Sequence, residues 1–285
     1  MVIKVMNKTV YISGCSTGIG FFLTKALHEK GYKVIASCRK IEDVLRLQAL
    51  GIKTLQMDVS APSSLQTAVE PLLEYTCGKV DILINNAGIG QSGALEDIDQ
   101  ETMLHIFQTN VFGLHELTRQ IIPVMRTQGS GRIINISSIL GIVSLPFRGA
   151  YNASKYAVEG LSDSLRLELE PSNIWVSSIQ PGPIESNFRD TVIDTSLIWI
   201  DIENSFFAPQ YQNMLLHFKD KKQQSALTQT PDAVFKKVLH AIESKRPKPV
   251  YQVTLSAYLL AVARKMLPGR LLHRLLAKIA KNELS

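Results

Sequence analysis

The segment Thr9–Gly20, TVYISGCSTGIG, is the strongest indication of the fold of this chain. Its first half, Thr9 to Ser13, is a β-branched and aromatic run that predicts a buried strand, and its second half is a glycine-rich turn. A helical pattern at 21–30 follows at once. Glycines at such a junction permit a tight turn and let a pyrophosphate approach the backbone N–H groups at the helix amino terminus. Taken alone, the turn also fits a strand-to-helix connection without a ligand.

The alternation of strands and helices continues along the chain. Further strands are predicted at 33–37, 54–57, 80–84, 132–136, 174–179 and 250–251, and further helices at 41–50, 64–75, 102–125, 153–169 and 231–243. Alternation with short connections calls for a parallel sheet that helices cover on both faces. The predicted fold class is therefore α/β, a Rossmann-like doubly wound parallel sheet of seven strands.

The length of 285 residues fits one α/β domain. We place this domain at 1–251, and it includes a substrate-binding segment at 186–227. That segment mixes aromatic and polar residues, which predicts irregular or broken helix and a candidate lid. Residues 252–285 form a basic amphipathic helical extension.

The composition excludes several classes of protein. With 45% hydrophobic and 20% charged residues, the chain can bury a sizeable core, which excludes disorder, collagen and coiled coil. The cysteines Cys15, Cys38 and Cys77 are odd in number and lack Cys-x-x-Cys spacing, which argues against a disulfide framework and a thiolate metal site. The histidines show no ligand spacing either, so no metal is predicted.

The same features favour a cytoplasmic location, because free thiols suit a reducing compartment. Residues 1–8 lack the pattern of a secretory signal. The longest uncharged apolar-rich run, at 253–263, is much shorter than the roughly 20 residues that a spanning helix needs. We therefore expect no membrane crossing.

Most of the positive charge lies at one end of the chain. The net charge is +6, and residues 264–285 hold six Lys and Arg against one Glu, which leaves only +1 for the rest. Nucleic-acid binding needs basic residues spread over the folded domain, so it is not expected.

Three further motifs give the glycine turn its context. Asn85-Asn86-Ala87-Gly88 follows the fourth predicted strand, Ser138 follows the fifth, and Tyr151-x-x-x-Lys155 lies in a helix. Together with Gly-x-x-x-Gly-x-Gly, they make the chain resemble the short-chain dehydrogenase/reductase family, in matching order and spacing from about residue 8 to 251. Ser13 replaces the usual threonine and keeps its hydroxyl.

Tyr151 and Lys155 share one face of their helix because they are four residues apart. A nearby ammonium favours a phenolate, so we expect Lys155 to lower the pKa of Tyr151. The resemblance implies that Tyr151 is the general acid and base, and that Lys155 also holds the nicotinamide ribose. It implies that Ser138 orients the substrate oxygen and that Asn110 anchors a water on the proton path.

The resemblance also implies a nicotinamide cofactor, and the end of the second strand indicates which one. An NAD enzyme carries an acid there for the ribose 2′-hydroxyl, but this strand ends in Ser37-Cys38-Arg39-Lys40. Because Arg39 can clamp a phosphate, we predict that NADP(H) is preferred over NAD(H). The second basic residue that many NADP-preferring relatives carry in the glycine turn is missing, since Ser16 and Thr17 stand there.

Other cofactor contacts that the resemblance implies lie in the glycine turn and after the third, fourth and sixth strands. They are Gly14, Ser16, Gly18, Ile19, Gly20, Asp58, Val59, Asn86, Ala87, Gly88, Pro181, Gly182, Ile184 and Ser186. For Asp58, helix capping is an equally supported alternative.

Apolar residues near the predicted site indicate a lipophilic substrate. Leu145, Phe147 and Phe188 are the candidates, although such side chains also serve simply to pack a segment onto its domain. The chain looks most like bacterial NADP-dependent aldehyde reductases related to retinol and 17β-hydroxysteroid dehydrogenases. An aldehyde is the first expectation, and a retinoid or steroid-like alcohol the second. A catalytically silent dinucleotide sensor or scaffold is the alternative from another class, and the intact Asn-Ser-Tyr-Lys set argues against it.

The tail pattern leaves two interpretations open. Leucines recur at helical spacing at 271, 272, 275 and 276, and cations occupy another face. Such a helix lies on an anionic membrane surface or packs its apolar face against protein. The resemblance further implies a homodimer or homotetramer formed through the helices at 102–125 and 153–169.

Overall fold

The computed structural model describes residues 8–186, 188, 192, 196, 198–219 and 227–284. The amino-terminal residues 1–7 and part of the predicted substrate-binding segment 186–227 lie outside the described residues.

The seven predicted strands form one parallel sheet, which confirms the fold class. They are β1 (Thr9–Ile12), β2 (Lys33–Cys38), β3 (Lys53–Gln56), β4 (Ile82–Asn85), β5 (Gly131–Ile136), β6 (Ile174–Gln180) and β7 (Val250–Gln252). Their order in the sheet is β3-β2-β1-β4-β5-β6-β7. The direction of winding reverses between β1 and β4, and ligands of such sheets bind in the crevice outside the carboxyl ends of the strands at that point.

Helices lie between the strands, with bounds close to those predicted. The first three are α1 (Gly18–Glu29), α2 (Ile41–Gln48) and α3 (Pro62–Thr76). The single helix predicted at 102–125 is three segments: α4 (Gln100–Phe107), a π-helical turn (Gln108–Gly113) and α5 (Leu114–Gln128). Then come α6 (Gly149–Leu169), α7 (Ala208–Lys219), α8 (Pro231–Glu243), α9 (Leu255–Met266) and α10 (Gly269–Leu284).

Alternating side chains of the strands build a separate core on each face of the sheet. In β1, Val10 and Ile12 point into the core that α1, α2 and α8 cover, whereas Tyr11 points into the core under α3, α5 and α6. All three side chains are fully buried. Burial on both faces explains why these strands read as nearly continuous apolar runs.

The two carboxyl-terminal helices pack on the loop that follows β5. Leu272 and Leu276 of α10 and Ala257 of α9 are buried in one cluster with Ile139 and Leu145. Part of the leucine face predicted for the tail therefore packs against its own domain. Among the described residues, no helix is both long and apolar enough to cross a membrane.

Candidate active site at the switch point

The glycine turn packs directly against the loop that follows β4. Gly14 has a φ of +71°, and a Cβ there would lie 2.6 Å from the Cα atom of Ala87. A Cβ at Gly20 would overlap the carbonyl oxygen of Gly14 and Nδ2 of Asn86. Only glycine is compatible with either position. The close approach brings two of the predicted cofactor segments together.

Hydrogen bonds fix the same junction. The Ser13 hydroxyl accepts from the backbone amides of Asn86 and Ala87, at 3.2 Å each. The Asn86 side chain donates to the carbonyl oxygens of Ser13 (3.1 Å) and Gly14 (2.7 Å). The Ser13 hydroxyl, which threonine would also provide, therefore joins the turn to the loop after β4. The Asn86 side chain holds the turn from the other side of the junction.

The amino terminus of α1 suits an anion. The side chain of its N-cap residue, Thr17, makes no capping hydrogen bond, and the first turn contains no acidic residue. Uncapped N–H groups at a helix amino terminus, together with the helix dipole, favour a phosphate group. Ser186, from the segment after β6, reaches the same turn, since a Cβ at Gly18 would lie 3.1 Å from the Cβ of Ser186. These residues therefore fit a dinucleotide.

Close to the end of β2, helix α2 provides a cation that the sequence analysis missed. Cys38 is buried, which raises the pKa of its thiol to about 11, and Arg39 is exposed beside it. Arg46 of α2 donates from Nη2 to the carbonyl oxygen of Ser16 and lies near enough to Cys38 to act electrostatically on its thiol. It also forms an ion pair with Asp43 at 2.8 Å. Arg46 therefore places a guanidinium where the glycine turn itself has no basic residue.

The signal for Arg46 was present in the sequence but not decisive. Arg46 lies in the last turn of α2, a short helix that starts just after Arg39 and Lys40. Only the packing of α2 against the glycine turn shows which way the side chain points.

The Asp58 carboxylate closes a local turn. Its Oδ1 accepts from the backbone amide of Ser60 (2.9 Å) and from the Ser60 hydroxyl (2.6 Å). The residue that caps α3 is Ala61, so the Asp58 side chain is not the cap that the alternative interpretation expected. Val59 beside it is buried under the π-helical turn at Gly113.

Lys155 lies in α6 at the carboxyl edge of β5. Its side chain is only 5% exposed, and its Nζ donates to the carbonyl oxygen of Ile136 at 2.9 Å. Burial lowers the pKa of Lys155 to about 8, against an opposing effect of Glu159. Nζ lies 5.7 Å from the centre of the Tyr151 ring, one turn earlier on the same helix. The predicted sharing of a helix face is therefore seen.

The predicted lowering of the Tyr151 pKa is wrong for this structure. Burial raises the pKa of Tyr151 to about 12, although a hydrogen bond with Ser138 and the charge of Arg148 act in the opposite direction. The physical reason is that loss of water around the phenol outweighs the favourable charges. The Ser138 hydroxyl also accepts from the amide of Leu140 at 3.1 Å.

Asn110 occupies the π-helical turn and is almost fully buried. Its Oδ1 accepts from the amide of Ile89 (2.8 Å), and its Nδ2 donates to the carbonyl oxygen of Ile89 (2.9 Å) and the hydroxyl of Ser154 (3.0 Å). Ser154, beside Lys155 in α6, is a second residue that the sequence analysis missed. A Cβ at Gly88 would lie 3.2 Å from Oδ1 of Asn110 and 3.6 Å from Nζ of Lys155. The Asn110 side chain thus ties the β4 loop to α6, the helix that carries Tyr151 and Lys155.

The predicted substrate residues fall into two groups. Phe188 packs on Tyr151 with ring centres 5.8 Å apart, and Leu145 belongs to the cluster at whose edge Tyr151 lies. Phe147 instead contacts Phe207 and Tyr211 edge to face, at 5.3 and 5.8 Å. Phe147 therefore makes the packing contacts that the alternative expected, whereas Phe188 contacts Tyr151 and Leu145 belongs to the cluster that Tyr151 borders.

A polar contact set holds the start of α7 to the loop before α4. The Tyr211 hydroxyl donates to Asp97 and accepts from the amide of Ala94, both at 2.7 Å. Ser205 also donates to Asp97 at 2.7 Å. We call Asp97, Ser205 and Tyr211 the latch. No sequence motif pointed to it.

Comparison with known proteins agrees with this architecture. The family model for short chain dehydrogenase matches residues 8–196. The uncharacterized oxidoreductase YbbO of Escherichia coli K12 is 40% identical over 96% of this chain and 95% of its own length. Human retinol dehydrogenase 8 is 33% identical over 84% of this chain and 79% of its own, and human 17-beta-hydroxysteroid dehydrogenase type 1 is 32% identical over 86% and 77%.

Among solved structures, a short-chain dehydrogenase from Streptomyces avermitilis superposes with a TM-score of 0.76 at 26% identity, covering 91% of this chain and 93% of its own. Chains from Burkholderia cenocepacia with NADP and from Burkholderia phymatum with NAD share the fold. They superpose with a TM-score of 0.74 each, at 23% and 24% identity, covering 95% and 92% of this chain and 98% and 94% of their own. The fold thus accommodates either dinucleotide, and the choice between them depends on the residues of each chain.

Proposed function

Because the chain belongs to the short-chain dehydrogenase/reductase family of oxidoreductases, we propose that it interconverts a lipophilic aldehyde or ketone and its alcohol with NADP(H). The observation that carries this proposal is the placing of Ser138, Tyr151 and Lys155 beside the glycine turn and the β4 loop, at the point where the sheet reverses. The proposed catalytic domain is 1–251, and 252–285 is its helical extension.

A bound nicotinamide supplies the hydride for reduction and accepts it in oxidation. Tyr151 donates its phenolic proton to the carbonyl oxygen during reduction, and a pKa of about 12 keeps that proton in place at neutral pH. Ser138 orients the same oxygen by a hydrogen bond. Lys155, with a pKa of about 8, is mostly an ammonium at neutral pH and stabilises the phenolate left behind. Oxidation of the alcohol uses the same groups in reverse.

Replacement of Tyr151 by Phe tests this role. The variant keeps the ring and removes the acid, so turnover should fall by about 10²- to 10⁴-fold while dinucleotide binding persists. Nicotinamide absorbance is followed with a panel of aliphatic, aromatic and retinoid aldehydes and steroid ketones. Unchanged turnover in the variant would defeat the mechanism. Dinucleotide binding by the native protein without turnover of any compound would favour the silent sensor.

The preference for NADP(H) is supported by the charges around the end of β2. The position of the acid is taken by Cys38, Arg39 is exposed beside it, and Arg46 adds a second guanidinium at the glycine turn. Asp43 partly balances Arg46, so the two arginines give a moderate excess of positive charge. Arg39 and Arg46 would hold the 2′-phosphate from two sides.

Binding measurements separate the two arginines. Dissociation constants for NADPH and NADH are measured by protein fluorescence for the native protein, Arg39→Ala, Arg46→Ala and the control Lys40→Ala, which removes an adjacent exposed cation. We expect each arginine variant to lose about tenfold or more for NADPH and little for NADH, because a charge-assisted hydrogen bond contributes about 1.5–3 kcal/mol. Tighter native binding of NADH than NADPH would contradict the preference.

An aldehyde is the first proposed substrate class and a retinoid or steroid-like alcohol the second. Support comes from the apolar side chains that flank Tyr151, namely Phe188, Ile139 and Leu145. The names of the two human relatives support the second class. The panel described above ranks the classes by kcat/KM.

We further propose a cytoplasmic homodimer or homotetramer that contacts the inner membrane surface peripherally. Large apolar side chains are exposed on the helices that the family resemblance assigns to pairing: Leu104, Phe112, Tyr156 and Leu167. Light scattering coupled to size exclusion tests the oligomer, and Phe112→Asp should shift it toward the monomer.

A further inference from the structure

Helix α9 buries two small side chains and exposes most of its large apolar side chains, although Leu260 is partly buried. Ala257 and Ala261 are 0% and 7% exposed, whereas Leu255 and Leu259 are each 56% exposed and Met266 is 76% exposed. Burial normally favours the larger apolar side chains, because the free-energy gain grows with the apolar area removed from water. The pattern of α9 is the reverse of that expected for a helix that only packs on its domain.

The exposed apolar side chains of α9 form one stripe. Leu255, Leu259, Val262 and Met266 are spaced by four, three and four residues, so they project from one side of the helix. Ala257 and Ala261 project from the opposite side, into the cluster with Ile139 and Leu145. A contiguous exposed apolar patch on a folded domain usually marks an interaction surface.

Helix α10, whose buried leucines share that cluster, also exposes apolar side chains and adds positive charge. It buries Leu272 and Leu276 but leaves Leu271 and Leu275 at 49% and 36% exposure. Its exposed cations recur at helical spacing beside these leucines: Arg270, Arg274, Lys278 and Lys281. Arg264 and Lys265 extend the basic set at the end of α9.

We propose that α9 and α10 dock the protein on an anionic lipid surface, with the stripe of α9, Leu271 and Leu275 in the headgroup boundary and the cations on lipid phosphates. The positive charge of the tail favours an anionic lipid surface over a second copy of the chain. Residues 264–285 carry a net +5, and a two-fold interface would place two such segments together. An anionic bilayer instead neutralises each of these cations, and each contributes favourably to binding.

Docking would also place the lipid next to the substrate side of the site. Tyr151 lies at the edge of the cluster that the buried faces of α9 and α10 build with Ile139 and Leu145. The two helices therefore lie between Tyr151 and the proposed docking surface. Delivery of a lipophilic substrate from the bilayer rests on the proposed function, but the docking itself does not.

Vesicle sedimentation of the full-length protein tests the docking without cofactor or substrate. The probes are vesicles of phosphatidylcholine alone or of phosphatidylcholine mixed with phosphatidylglycerol. We expect a partition coefficient at least tenfold higher on the anionic vesicles, and we expect salt to weaken it. Equal binding to both vesicles, or no binding to either, would overturn the proposal.

Matched surface variants locate the contact. Leu259→Asp and the pair Arg274→Glu and Lys278→Glu should each lower the partition coefficient tenfold or more. Leu45→Asp, at a leucine of α2 that is 58% exposed, and Lys30→Glu, on an exposed lysine after α1, should leave it unchanged. All these side chains are on the surface, so the fold is retained, which circular dichroism verifies. If Leu259→Asp instead dissociated an oligomer and left vesicle binding intact, the surface would be a contact between copies.

Discussion

The proposed dinucleotide side and the proposed substrate side of the site lie at the same edge of the sheet, but different interactions hold them. On the dinucleotide side, backbone packs on backbone, as at Gly14 against Ala87, and side-chain amides bridge the turns. On the substrate side, ring contacts such as Phe188 on Tyr151 and the latch at Asp97 hold segments that approach from later in the chain. The first arrangement permits almost no change of residue, whereas the second permits many.

Adding one methyl group on the dinucleotide side tests this contrast with the largest expected effect. Gly20→Ala would place a Cβ into the Gly14 carbonyl and the Asn86 amide, so the turn must move. We expect a loss of about 2–3 kcal/mol in stability and of about 100-fold in dinucleotide affinity. Chemical denaturation and fluorescence titration measure the two effects.

Gly269→Ala is the matched control. This glycine also lies in the first turn of a helix, α10, and no atom of the residues that the structure describes lies within 4 Å of a Cβ built on it. Alanine there should leave stability unchanged or raise it by a few tenths of a kcal/mol. Similar losses in both variants would show that helix-terminal glycines matter for another reason than close packing.

The buried ammonium of Lys155, which lies between the two sides, lowers the stability of the folded protein. Burial depresses the pKa of Lys155 to about 8. The charged ammonium is therefore less favourable in the folded state than in the unfolded state at neutral pH. Lys155→Met should therefore stabilise the protein at neutral pH by about 1–3 kcal/mol while abolishing turnover.

The pH dependence gives this prediction its sign. Between about pH 8 and the unfolded lysine pKa near 10, the unfolded native chain binds more protons, so its stability rises with pH through the Lys155 contribution. The advantage of Lys155→Met should shrink over that window. Denaturation of both proteins at neutral pH and at about pH 10 measures it. An advantage that is the same at both values would rule out the desolvated ammonium as its source.

The same contrast explains which features the sequence could predict. The strand ends, the glycine turn and the spacing of Tyr151 and Lys155 depend on neighbours close in the chain, and the structure has them where the pattern indicated. Arg46 and the latch depend on helices that meet only after folding, so local sequence patterns could not place their side chains. The Tyr151 pKa was predicted wrongly because spacing shows the charge nearby but not the loss of water, which is the larger effect.

The smallest expected effect comes from loosening the substrate side at the latch. Tyr211→Phe keeps the ring contact with Phe147 but removes the hydroxyl that joins Asp97 to the Ala94 amide. Because the Ser205 bond to Asp97 remains, we expect a cost of only about 1 kcal/mol and a rise in substrate KM of a few-fold, with dinucleotide affinity unchanged. Tyr75→Phe, which removes the hydroxyl of a tyrosine that is 44% exposed, should change none of these quantities. A parallel loss of dinucleotide affinity in Tyr211→Phe would mean that the two sides of the site are held as one unit. Only coupled packing would transmit the loss of the α7 hydroxyl to the glycine turn.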